Sequence, residues 1–144
     1  MAAYFTQFSC MFDVGTADNV TRALAIYEEQ TAALDEDKYS EPGFAVEPDP
    51  DAGPGMLWIS SDGHGEPEHV IAFALACAEA FHLQGRWGFT WALTCSKPRL
   101  DGFAGGAQLL DLGARKSLAW TDCDHWLVAM LDPDPDPDAG IALA

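Results

Sequence analysis

The stretch from Glu66 to Gly85, EPEHVIAFALACAEAFHLQG, constrains the fold more than any other part of this chain. Pro67 suits the first turn of a helix, where its fixed φ fits and its missing N–H would have had no partner. Gly85 is placed to close the segment, supplying the left-handed residue that helix ends commonly take. Between them, Val70, Ile71, Phe73, Leu75, Phe81, Leu83 and the intervening alanines leave almost no polar face, which predicts a buried helix. The run is too short, and too interrupted by Glu79 and His82, to span a bilayer. It reads as the central core helix of a soluble domain.

Elements on either side follow from periodicity. Tyr4 to Phe12 places Phe8, Cys10 and Phe12 on one side and Gln7 and Ser9 on the other, a strand pattern. Thr16 is a plausible cap for a helix over Ala17 to Leu34, whose apolar positions Val20, Leu24, Tyr27 and Leu34 recur at helical spacing. Short strands at Phe44 to Val46 and Met56 to Ile59 flank a loop rich in Pro and Gly, which suggests a hairpin. After the core helix, Trp87, Phe89, Trp91 and Leu93 alternate with Gly88, Thr90, Ala92 and Thr94 in the clearest strand of the sequence. The small-residue side of that strand invites close approach by another part of the protein, a ligand or a second subunit. A breaker-rich loop through Gly106 precedes a second hairpin, Ala107 to Leu112 and Ser117 to Thr121, and Asp122-Cys123-Asp124 are placed to cap a final short helical turn holding Trp126 and Leu127.

This order predicts an α+β domain over residues 1–128. The expected form is a ferredoxin-like split βαβ antiparallel sheet with two helices on one face and an extra C-terminal hairpin. Residues 129–144, with alternating Asp and Pro from Asp132 to Asp138, are expected to form a disordered acidic tail outside the fold.

Charge narrows the choice of partners. The chain carries 23 acidic and 7 basic side chains, a formal net charge of −16. Phosphate contacts need Lys and Arg, so direct nucleic-acid binding is disfavoured, as is docking to an anionic membrane. Residues 1–55 hold 11 acidic and 2 basic side chains, so the acidity concentrates in the first third and in the tail. Either the charge serves solubility alone or it forms a binding surface for a basic protein. In the second case Glu28, Glu29, Asp35, Glu36, Asp37 and Glu41 are the residues expected to carry partner binding.

Residues able to do chemistry are few. Asp62, His64, Glu66, Glu68 and His69 crowd into DGHGEPEH, and Asp62, His64, Glu66 and His69 are types that ligate zinc or manganese. The spacing matches no known metal motif, and the same residue types are ordinary before a helix. Neither a metal nor any other cofactor is expected. Cys123 lies beside His125, and Cys95 has Lys97 and Arg99 nearby, but a nucleophile pair is assembled in space and seldom in sequence. Lys97, Arg99, Arg115 and Lys116 would make a small anion site if the loop and the hairpin tip met. No Walker loop, dinucleotide fingerprint or nucleophile elbow is present. The four cysteines have no CxxC spacing, and the first residues lack the basic and hydrophobic regions of a secretory signal. A cytoplasmic location with reduced thiols is expected.

Trp87-Gly88-Phe89, Trp91-Ala92, Thr94-Cys95-Ser96, Pro98-Arg99, Asp101 and Phe103, with Glu68 to Phe73 before and His125-Trp126-Leu127 after, resemble a group of short uncharacterised bacterial proteins. The resemblance covers roughly Met56 to Leu127. It implies a shared fold and carries no activity. Two function classes follow. One is a non-enzymatic acidic interaction module, in its sharper form a nucleic-acid mimic that inhibits a basic-grooved nucleic-acid-binding or defence protein. The other is a metal-binding or cysteine-dependent enzyme using the Asp62 to His69 loop. Homo-oligomerisation through a sheet face or edge is compatible with both.

Overall fold

The computed structural model describes residues 2–35, 42–61, 63–134 and 141–143. In chain order the elements are β1 (Tyr4–Gln7), β2 (Ser9–Asp13), α1 (Ala17–Asp35), β3 (Ala45–Pro48), β4 (Met56–Ser60), α2 (Pro67–Phe81), β5 (Arg86–Cys95), β6 (Ala104–Asp111), β7 (Lys116–Asp122), α3 (Cys123–Met130) and β8 (Ile141–Leu143). They form an α+β structure with two antiparallel sheets, one of order β1-β5-β6-β7-β8 and one of order β2-β4-β3.

The single N-terminal strand expected from the alternation is two strands, divided at Phe8 and shared between the sheets. β1 pairs with the far end of β5, Tyr4 opposite Cys95, while β2 pairs with β4, Ser9 opposite Ser60. Ser61 makes the division possible. Its hydroxyl accepts the Phe8 N–H at 2.9 Å and its own N–H donates to the Phe8 carbonyl at 2.9 Å, so neither backbone group is orphaned where the ladder changes partner. The predicted alternation itself holds: Phe8 and Phe12 are buried, Gln7 and Ser9 exposed. Gly65 must approach closely here, because a Cβ on it would lie 2.5 Å from the Phe8 ring and 2.8 Å from the Thr6 carbonyl oxygen.

α2 occupies the centre as the apolar run demands. Val70, Phe73, Ala74, Cys77 and Ala78 are fully buried, and Phe73 packs edge-on against Phe12 and Tyr27. Its burial is one-sided, since Ala72 and Glu79 face solvent. The helix ends earlier than Gly85 would set it. His82 takes the left-handed conformation (φ 53°), and the Leu83 N–H returns to the Ala78 carbonyl at 3.0 Å, which turns Leu83 back onto the core. Gly85 (φ 90°) serves the turn into β5 instead.

α1 begins where Thr16 was expected to cap it, with the Asn19 N–H donating to the Thr16 hydroxyl at 3.1 Å. Val20 and Ala23 are buried and Leu24, Tyr27 and Leu34 half-buried, so the apolar stripe faces the core. β3 and β4 form the expected hairpin. In β5, Trp87 packs on Phe12, and its indole N–H donates to the Met11 carbonyl at 2.9 Å.

The C-terminal third departs furthest from expectation. β6 begins at Ala104, so Gly105 and Gly106 are strand residues and not loop. α3 runs beyond residue 128, and Ile141–Leu143, expected outside the fold, pair with β7 as β8. Residues 135–140, which include the end of the Asp-Pro run, lie outside the described residues.

Candidate functional site

Of the six acidic residues expected to carry partner binding, Glu28 and Glu29 are exposed on α1. Asp35 is the last residue of α1, whereas Glu36, Asp37 and Glu41 lie outside the described residues. Glu29 lines a shallow groove between the two long helices, and Glu79 of α2 faces it from the other side among Ala33, Ala76 and Ala80.

The structure gives the described members of the possible metal set separate places. His69 turns toward the loop before β3, with Nδ1 3.0 Å from the Pro42 carbonyl oxygen, so that nitrogen carries the proton and donates. His64 lies against the Phe5 ring, with centroids 6.2 Å apart. Glu66 precedes α2, its N–H bonded to the Gly43 carbonyl at 3.3 Å. Asp62 lies outside the described residues. Among the described residues, no three His, Cys, Asp or Glu side chains form a group able to hold a metal ion.

All four cysteines are free thiols. Burial pushes the Cys10 thiol up to about 11 and the Cys77 thiol up to about 12, which keeps both neutral and poor as nucleophiles. The anion site imagined for Lys97, Arg99, Arg115 and Lys116 is not assembled. The loop after Cys95 and the turn after Asp111 stand at opposite ends of the β5–β6 pair, which eight paired residues separate by roughly 26 Å.

A different feature lies against the chemistry-bearing part of the molecule. A groove of about 850 Å³ runs between the first turns of α2 and the neighbouring face of the five-stranded sheet. Glu66, Glu68 and Ile71 line one wall, and Trp91, Gln108 and Trp120 the other. Strand register explains the second wall. Phe89 stands opposite Gln108 and Gln108 opposite Trp120, so these side chains and Trp91 share one face of the sheet. Trp91 lies flat over Gly106, where a Cβ would sit 2.5 Å from an indole carbon. The Gln108 side-chain N–H donates to the Ser117 hydroxyl, which also lines the groove.

Alternation alone places Trp91 beside Trp87 and Phe89, but the position of Trp120 depends on an irregularity. Leu110 pairs with Ser117 and Leu109 with Ala119, leaving Leu118 as the extra residue. Without that bulge Trp120 would stand opposite Ala107, on the other face. No described helix is long and apolar enough to cross a membrane. Comparison of the chain with protein-family models, curated proteins and solved structures found no match in any of the three.

Proposed function

We propose that this protein is a non-enzymatic acidic interaction module that engages a basic protein surface. The observation that carries the reading is the state of the charges on the paired helices. Glu28, Glu29 and Glu79 are exposed, and none of their carboxylates has an ion-pair or hydrogen-bond partner among the described residues. Unpaired surface carboxylates leave their field available to an approaching cation. The sharper form is a mimic of nucleic acid. Glu28 and Glu29 follow one another on α1 and Glu79 lies across the same groove from Glu29, a cluster of negative charge that stands in for phosphates in a basic groove. Four free cysteines fit a reducing compartment, and we place the protein in the cytoplasm.

The finer fold reading supports a small, rigid carrier for that surface. Along the two sheets β5 neighbours β1, and β2, continuous with β1, neighbours β4 and then β3. We infer from this order a ferredoxin-like core, extended by β6, β7 and β8.

A competition experiment tests the function. The tagged protein is expected to retain a partner from extract of its native host, and added duplex DNA is expected to release it. A variant with Glu28, Glu29, Asp35 and Glu36 each changed to Lys should retain none of that partner. Retention by the variant equal to wild type overturns the interaction surface, and retention that DNA does not compete with overturns the mimic.

A further inference from the structure

We propose that the groove between α2 and the indoles of Trp91 and Trp120 is a binding site for an alkylammonium group, presented by a small amine or by a lysine side chain. Its volume, about 850 Å³, lies within the roughly 300–1,000 Å³ of small-ligand clefts.

The lining selects the charge of the occupant. Two tryptophans form one wall, and an indole face is the best neutral surface for a cation. Glu66 and Glu68 form the other, and neither carboxylate has a hydrogen-bond or ion-pair partner among the described residues. Among the described residues, no Lys or Arg lines the groove. The start of α2 contributes a helix dipole of about +0.5 charge, which favours an anion. Two full carboxylate charges exceed it, so the field in the groove is negative. Gln108 commits its side-chain N–H to Ser117, which leaves its carbonyl oxygen as a further acceptor. Acceptors opposite aromatic faces suit an N–H-bearing or quaternary cation.

The aromatic wall is also built into the fold. Consecutive glycines inside a strand weaken it, because they add backbone entropy and bury nothing. Gly105 and Gly106 nonetheless stand in β6, and the Trp91 indole fills the space a side chain at Gly106 would take. Neither indole N–H of the Trp91 and Trp120 pair has a protein partner among the described residues, whereas Trp87 and Trp58 bond Met11 and Ser9. This site does not depend on the α1 carboxylates. Glu68 and Ile71 lie on one flank of α2, and Ala76 and Ala80, which face α1, lie on the other.

Nitrogen-15 spectra resolve the test, because the five tryptophans give separate indole signals. Titration with choline at constant ionic strength should shift the Trp91 and Trp120 indoles and leave those of Trp58, Trp87 and Trp126 in place. The neutral isostere 3,3-dimethyl-1-butanol should bind at least about tenfold more weakly, a factor worth about 1.4 kcal/mol. Trp120→Leu and Glu68→Gln, both at exposed positions, should each weaken choline by a similar factor, and Glu28→Gln with Glu29→Gln should leave it unchanged. A parallel titration with N-acetyl-lysine amide separates the sources, the tighter of the two probes naming the one the groove suits. Equal binding of choline and its neutral isostere, or shifts confined to the other three indoles, overturns the proposal. A failed pull-down by the α1 variant would not touch it.

Discussion

Cys77 has no exposed surface on the α2 face that also carries Val70, Phe73 and Ala74, and Cys10 is half-buried on β2 beside it in the same core. Water cannot reach either sulfur well enough to support a thiolate, so their pKa values rise from 9.0 to about 12 and about 11. The sign of the stability effect follows. Below pH 9 both thiols are neutral in the folded and the unfolded chain, and they contribute the same at every pH. Above pH 9 the unfolded chain releases its thiol protons first, so stability falls as pH rises from about 9 toward 12. Urea midpoints measured from pH 8 to pH 10.5 should therefore fall for the wild type, and fall less for Cys77→Ala. The alanine variant starts lower at pH 8 because it leaves a small cavity, so the slope is the readout. Identical slopes would mean that the alkaline loss comes from groups other than Cys77. That Cys77 behaves as a core hydrophobe was legible from its place in the apolar run. The half-burial of Cys10 was only partly so, since alternation gives a side and not a depth.

Elements set by their own local signals were readable, and elements set by a distant partner were not. Pro67 and the apolar run mark α2, Thr16 marks the start of α1, and alternating aromatics mark β5. By contrast, nothing near Phe8 announces that Ser61 will divide the first strand, because that bond spans 53 residues. The bulge at Leu118 is equally silent in sequence, yet it decides which face receives Trp120 and with it the groove. α3 shows the limit of a correct local reading. Of the stretch Asp122-Cys123-Asp124 expected to cap it, Asp122 does so, accepting the His125 N–H at 2.6 Å. Even so, α3 has no buried residue, and Val128 and Leu131 are 72% and 71% exposed. A helix with little packing behind it opens locally. Asp122→Ala should therefore cost about 1 kcal/mol in α3 alone. Amide exchange over Trp126 to Met130 should accelerate several-fold while the thermal midpoint of the whole protein moves little. A drop of the global midpoint with unchanged α3 exchange would mean that this helix is cooperative with the sheet.

At the scale of the molecule, a net charge of −16 on 144 residues acts against the compact state, because folding brings the carboxylates closer together than they stand in the unfolded chain. The apolar core around α2 has to offset that repulsion. Sequence alone showed the excess but not its distribution over the surface, and the structure leaves two parts of it unpaired among the described residues: Glu28, Glu29 and Glu79 across the helix pair, and Glu66 and Glu68 at the groove. These carboxylates sit beside concave surface. Screening separates the cost from the use. The Debye length shortens from about 30 Å at 0.01 M salt to about 10 Å at 0.1 M, so most repulsion between distant carboxylates disappears over that range. The thermal midpoint should rise by several degrees on adding sodium chloride from 10 to 300 mM, each kcal/mol of relief being worth roughly 2–8 °C for domains of this size range. Choline chloride at matched ionic strength should raise it further, because a cation that occupies the groove stabilises the folded chain by mass action beyond what screening gives. A midpoint insensitive to sodium chloride would show that the carboxylates are already compensated in the folded state. Identical curves for the two salts would leave the groove without a ligand.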